Sequence, residues 1–204
     1  ESALVHPESA LLHLTLGGAT TDDGRRAYRA PKGSRALDSG CMNSDTRWLD
    51  ASQQRSWRAL VIGTTLLMDR LDDELRREFD ISLTEYEILV RLSEREGRQM
   101  RMAQLADALA HSRSRVTHTV TRMERQGLVR RSHSPDDGRG VLASMTEAGM
   151  RLLQAAAPMH VEGVRRHLVD LASAEDFAAL GRVMNAVTDQ LIVGHPEMEI
   201  RRPT

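Results

Sequence analysis

The sequence predicts a mainly α-helical protein with a small β-wing, in which a helix-turn-helix head sits on a frame of long helices. Three observations predict it. Between Ser112 and Gly127 the chain carries an apolar stripe at helical spacing with arginines on the opposite side. Two short strand-like runs, at 128–132 and 141–145, flank a segment rich in turn residues. Long apolar stripes lie on both sides of this head. The chain divides accordingly into an extension (1–43), a frame built from 44–80 and 146–195, a winged helix-turn-helix head (81–145) and a tail (196–204).

Residues 1–43 mix Gly, Ala, Ser, Arg and Asp with no sustained period and are read as a disordered extension. Leu11-Leu12-His13-Leu14 is too short for a signal-peptide core. Met42 suits a natural start, which makes the preceding stretch an addition. The other reading is an arm that touches DNA through Arg25, Arg26, Arg29, Lys32 and Arg35. Next, Trp57, Leu60, Val61, Thr64, Leu67, Met68, Leu71 and Leu75 recur at helical spacing and predict a first long helix. Thr84 is expected to cap the following helix with Glu87 reaching back, and Leu83 to staple onto Ile88. Within 102–110, Leu105, Ala106 and Leu109 form a stripe small enough for the close contact between the two members of a helix-turn-helix.

The second member is the most informative element. At about 100° per residue, Val116, Val120 and Met123 fall on one narrow stripe. Arg115, Thr117, His118, Thr121, Arg122 and Arg125 lie opposite, and are donors of the kinds that contact phosphate oxygens and base edges. Ser112 or Ser114 can cap the helix start beside Arg113, leaving backbone N–H groups for a phosphate. Gly127 stands where a C-terminal glycine belongs. Arg139 falls near the tip of the turn between the strands, where Asp137 can orient it towards a narrow minor groove.

Behind the head, Thr146 or Glu147 opens a long helix with Leu153, Ala157, Val161, Val164, Leu168 and Leu171 on one side. Pro158 inside it is expected to bend it or end its first half. Ser173 with Asp176 caps a last helix carrying Phe177, Leu180, Met184, Val187 and Leu191 at coiled-coil spacing. Two long striped helices flanking one small head predict a homodimer, since paired heads on a symmetric frame read a palindrome.

At 204 residues a single core needs no staples. The net charge of −1 alone argues against a nucleic-acid partner. Its distribution reverses that: residues 98–139 hold nine arginines against four acids. Lys32 is the sole lysine, a bias we assign to genome composition. One cysteine, Cys41, excludes an internal disulfide and suits a reducing cytoplasm. No apolar run approaches membrane-spanning length. No glycine-rich phosphate loop, Gly-x-Ser-x-Gly or Cys/His nucleophile arrangement is present, so neither an enzyme nor a cofactor is expected. His160 and His167, seven apart, share a helix face but are spaced too widely for a metal pair and are read as surface or boundary histidines.

Four blocks, in order and at matching separation, make the chain resemble the MarR family of bacterial transcriptional regulators over residues 48–193. They are Leu83-Thr84 leading to Tyr86 and Leu89; Gln104-Leu105-Ala106; Ser112-Arg113-Ser114-Arg115-Val116-Thr117 through Arg122-Met123-Glu124 to Gly127-Leu128-Val129; and Asp137-Gly138-Arg139-Gly140-Val141-Leu142 ending at Met145-Thr146. His118 stands where the family often has arginine, and Met145 where leucine is usual. The resemblance implies a cytoplasmic DNA-binding homodimer, a repressor on double-stranded palindromic operators. It also implies a pocket between head and frame for a small aromatic ligand, approached by Trp57, Arg58, Met68 and Tyr86. A redox sensor of the same fold is disfavoured, because peroxide-sensing relatives carry a cysteine in the first long helix and 57–62 has none. A winged helix that binds only protein would not need the outward donors.

Overall fold

The computed structural model describes residues 46–133 and 140–192. They form helices α1 (Ala51–Phe79), α2 (Leu83–Ser93), α3 (Met102–Ala108), α4 (Arg113–Arg125), α5 (Glu147–His167) and α6 (Ala174–Ile192). Strands β1 (Gln99–Arg101), β2 (Val129–His133) and β3 (Val141–Met145) make an antiparallel sheet in the order β1-β3-β2. The architecture is the mainly helical one, with a small wing, that the patterning predicts.

The head is built on complete burial of a few stripes. Ile88, Leu89 and Leu92 of α2, Leu105 of α3 and Val116, Val120 and Met123 of α4 are all buried in one cluster. Leu75 of α1 and Leu153 and Ala156 of α5 join it, so the head is seated on the frame through shared core residues. Helix ends are set chemically. The α4 terminus is a Schellman motif: Gly127 sits at φ 74°, its N–H donates to Glu124 O at 3.0 Å, and Leu128 N–H donates to Met123 O at 3.0 Å. The α3 terminus repeats the pattern through Ala110 at φ 51° and His111 N–H to Ala106 O. An alanine in that region carries strain of about 1 kcal/mol. It is the turn of the helix-turn-helix.

One expectation is corrected, one is narrowed and one strand is added. The cap of α2 is Ser82, not Thr84: Ser82 Oγ accepts Glu85 N–H, and Glu85, not Glu87, reaches back to Ser82 N–H at 2.8 Å. That register places Ile81 and Tyr86, both buried, at the staple positions in place of Leu83 and Ile88. Pro158 does not end its helix; α5 runs through it unbroken. The missing proline N–H costs one bond, and Gln154, whose carbonyl loses it, is solvent-exposed and can be hydrated. A third strand, β1, pairs Gln99, Met100 and Arg101 with Ser144, Ala143 and Leu142. Gln99, Met100 and Arg101 do alternate, but three residues are too few for the alternation to be read as a strand.

The frame is less buried. On α1, Trp57, Leu60, Val61, Leu66 and Met68 are exposed, and on α6 so are Phe177, Val183, Met184, Val187 and Leu191. No described residue of α6 is buried. The caps expected at Thr146 and Ser173 are present, with Gly149 N–H to Thr146 Oγ1 at 3.1 Å and Asp176 N–H to Ser173 Oγ at 3.1 Å.

Candidate nucleic-acid interface

Helix α4 presents two unlike faces because its inner stripe has no freedom. Val116, Val120 and Met123 are sealed, which fixes the azimuth of every other residue on it. Ser112 is the cap, accepting Arg115 N–H at 3.3 Å. Arg113, Ser114, Arg115, Thr117, His118 and Arg125 are exposed, and Thr121 is half-buried. The threonine hydroxyls donate back along the helix, Thr117 to Arg113 O and Thr121 to Thr117 O, each at 2.8 Å. Their protons are spent, so at a groove these two side chains are acceptors and methyl contacts, while the arginines are the donors.

Acids sort the arginines. Arg131 is pinned to Glu124, at 2.9 and 2.6 Å from its guanidinium and 2.9 Å from its backbone N–H. That hold keeps the Glu124 carboxyl below its ordinary range. Arg98 is paired with Glu147 at 2.8 Å. Arg122, expected on the outer face, is turned inward: it donates to Glu85 Oε2 at 2.7 Å, and Glu85 is 0% exposed. Arg113, Arg115, Arg125 and Arg130 remain exposed, with Arg115 brushing Thr84 Oγ1 at 3.4 Å. Asp137 and Arg139 lie outside the described residues.

Beneath the head, α1, the start of α2 and the inner edge of α4 enclose an open cleft of about 540 Å³. Met68, Asp72 and Arg76 line it from α1, Glu85 from α2, and Arg115, His118 and Arg122 from α4. Burial works to raise the Asp72 carboxyl, but hydrogen bonds from Arg76 and from Leu83 N–H prevail and hold it below its ordinary range. The same contact raises Arg76. Of the four residues expected at a ligand pocket, only Met68 lines this cleft. Trp57 and Arg58 are exposed further up α1. Tyr86 is buried in the core with its ring 4.4 Å from that of His160. Periodicity tells which face of a helix an aromatic residue occupies, not whether that face meets a core or a cleft.

The residues that sequence reasoning missed are the acids Glu85, Glu124 and Glu147. A signal existed for the first, since Ser82 and Glu85 have capping-box spacing. It was hidden by the overlapping Thr84 and Glu87.

The model of the MarR family matches residues 81–141, the head just described. The chain is 33% identical over 132 residues to the HTH-type transcriptional regulator PecS of Dickeya dadantii, covering 61% of this chain and 80% of that one. It is similar to the crystal structure of AbsC, a MarR family transcriptional regulator from Streptomyces coelicolor, with 42% identity and a TM-score of 0.68 over 72% of this chain and 98% of that one. It is similar also to Sco3205 of the same organism and family, solved in complex with DNA, with 39% identity and a TM-score of 0.70 over 73% of this chain and 93% of that one. The sealed α4 stripe, the three-stranded wing base and these likenesses agree: the chain belongs to the MarR family of transcriptional regulators.

Proposed function

We propose that the protein is a homodimeric, sequence-specific DNA-binding regulator, a repressor whose hold on double-stranded operator DNA is modulated by a small ligand. The observation that carries the DNA reading is the two-faced α4. Its inner stripe is sealed, and its outer face sets Arg113, Arg115, Thr117, His118, Thr121 and Arg125 on one surface behind a serine-capped N-terminus. The neighbour solved with DNA supports the same reading. By sequence, Arg139 and Asp137 of the wing extend this surface towards a minor groove.

Within that surface, Arg115 near the N-terminus of α4 reads base edges, and Arg125 at its C-terminus holds backbone. Arg115→Ala therefore changes which operator variants bind, at about 1–3 kcal/mol per lost base contact. Arg125→Ala weakens all sequences alike and lowers the salt slope by about one unit. The measurement is a fluorescence-anisotropy titration over an operator library at several salt concentrations. An unchanged operator preference in Arg115→Ala removes that residue from the base-reading set.

The dimer reading rests on the apolar faces of α1 and α6, which the single chain leaves exposed. A two-fold pairing of these helices sets two α4 helices one DNA turn apart, about 34 Å. Sedimentation at micromolar concentration is expected to give twice the chain mass, and Leu191→Glu with Val187→Glu to give the single mass. A monomeric wild type rejects the pairing.

The cleft under α4 is the place we assign to the ligand. Met68 and Leu83 offer apolar contact, and Arg76 and Arg122, each held by an acid of the same wall (Asp72 and Glu85), offer polar contact. Anything seated there touches both α1 and α4, and so bears on the angle between frame and reading helix.

A further inference from the structure

Two histidines of the frame are absorbed neither by the DNA face nor by the cleft. His160 and His167 lie on α5, and Glu74 of α1 faces the helix between them. Glu74 has only 9% of its side chain exposed. One oxygen, Oε1, accepts from Arg70 Nε at 2.7 Å and meets His167 Nε2 at 3.1 Å. The other is turned to Gly163, where a Cβ would come within 2.8 Å of it. Glycine here admits the acid to the helix surface. His160 is placed differently. Its ring is tilted at 40° on that of Tyr86, with centroids 4.4 Å apart, and its Nδ1 is buried with no hydrogen-bond partner among the described residues.

These groups come from three elements. Tyr86 belongs to the reading head, Glu74 to the first frame helix, and His160 to the second. We propose that His160, between Tyr86 and Glu74, is a proton-sensing joint between the DNA-reading head and the frame: neutral, it seats α2 on α5, and protonated, it loosens that seat.

The chemistry follows from counting donors. A neutral imidazole can leave one nitrogen as a bare acceptor, which is tolerable beside a ring. The imidazolium has two N–H donors, and both require partners. One of them would be buried without any, and the charge would be taken out of water as well. The Tyr86 face returns part of this cost as a cation–π attraction. Glu74 is the charged group that acts on His160. Its Oε1 is occupied, which leaves Oε2. Reaching Oε2 draws the ring away from Tyr86 and loosens the α2–α5 contact at this point, while the apolar core of Leu89, Leu153 and Ala156 stays in place.

Burial holds His160 below the ordinary histidine range, and Glu74 pulls the other way less strongly. The stability this group contributes is therefore full above the unfolded value of about 6.5 and is lost as pH falls below it, until the folded-state value is passed. Glu74 acts in a lower window. Burial opposes its charge, but the hydrogen bonds from His167 and Arg70 prevail and keep it below the ordinary carboxylate range. Its contribution survives until stronger acid. Of these two groups, His160 is the one that mild acidification reaches first.

The effect on DNA rests on the regulator reading; the titration of the joint does not, so two measurements keep them apart. The first is a proton NMR titration of the DNA-free full-length protein, assigned with His160→Gln. We expect His160 to titrate below the ordinary range, the Tyr86 ring resonances to shift with the same midpoint, and Glu74→Gln to move that midpoint lower still. An ordinary midpoint, or one that Glu74→Gln leaves in place, overturns the joint. The second is DNA affinity at pH 7.5 and 5.8 at fixed salt, for wild type and for His160→Phe, which keeps a stacked ring without a titrating group. Wild type is expected to lose up to about threefold more than the variant, because protonation of one group that titrates below the ordinary histidine value can remove at most about sixfold at this pH. Equal losses overturn the coupling to the head. Absence of DNA binding by both proteins at either pH would reject the regulator reading, while the titration still decides the joint.

Discussion

Gly149→Ala is expected to cost about 3 kcal/mol, although in most helices this change is stabilising by about 1 kcal/mol. Gly149 lies in the first turn of α5, where its N–H is capped by Thr146. A Cβ there would stand 2.3 Å from the carbonyl oxygen of Leu128, 2.9 Å from Met145 Cγ and 3.2 Å from Leu89 Cδ2. The carbonyl cannot retreat freely. It already accepts Thr146 N–H at 3.0 Å and Thr146 Oγ1–H at 3.1 Å, and it belongs to the turn that closes α4. The end of the reading helix, the last residue of β3 and the start of the frame thus meet at one point with no room for a methyl group. Relief must come from a shift of α5 away from the head, which opens the core at Leu89 and Met145. Urea unfolding followed by circular dichroism checks this, and DNA affinity should fall together with stability. A variant within 0.5 kcal/mol of wild type would show that the contact yields at little cost.

The same junction shows what the sequence reveals and what it withholds. Val116, Val120 and Met123 announce α4 because full burial on one side of a helix leaves a strict three-four stripe, and Gly127 marks its end because few other residues take that backbone region cheaply. The wing strands are local chemistry and are read to within a residue; the cap at Ser173 is read outright, and those of α4 and α5 to one of two candidates, from which the structure selects Ser112 and Thr146. What was hidden depends on partners far away in sequence. Whether Arg122 points at solvent or at Glu85 is decided by α2, and whether Tyr86 meets a ligand or a histidine is decided by α5. Trp57 and Arg58 lie beyond the part of α1 that touches the head, and nothing in their spacing says so. At the start of α2, two capping boxes overlap, and only the burial of Ile81 and Tyr86 selects Ser82. His160 and His167 looked idle because the acid between them is supplied by another helix.

Glu85→Ala is expected to destabilise the protein by about 2–3 kcal/mol and to weaken operator binding, although Glu85 is buried and cannot itself touch DNA. Its Oε2 gathers three donors: Ser82 N–H at 2.8 Å, Ser82 Oγ–H at 2.9 Å and Arg122 at 2.7 Å. The first two complete the cap of α2, worth about 1 kcal/mol. The third ties the start of α2 to the middle of α4. Breaking a fully buried ion pair typically costs about 3–5 kcal/mol. Here Arg122 is 42% exposed and regains water when its partner leaves, so the smaller figure applies. The reciprocal change is the informative one. Arg122→Ala strands a carboxylate that has no exposure at all and whose Oε1 has no partner among the described residues. It should therefore cost at least as much as Glu85→Ala, even though arginine is the more exposed member. The double variant leaves no stranded charge and should cost less than the sum, with a coupling of about 1–3 kcal/mol in a double-mutant cycle. Glu85→Gln separates cap from charge: the amide oxygen can still accept from Ser82, as glutamine does in capping boxes, but the pull on Arg122 is lost. Its stability should lie nearer wild type while its DNA affinity follows Glu85→Ala, because the orientation of α4 depends on the ion pair and not on the cap. Additive losses in the cycle would mean that the two side chains act independently, and the latch between α2 and α4 would have to be sought in the apolar core alone.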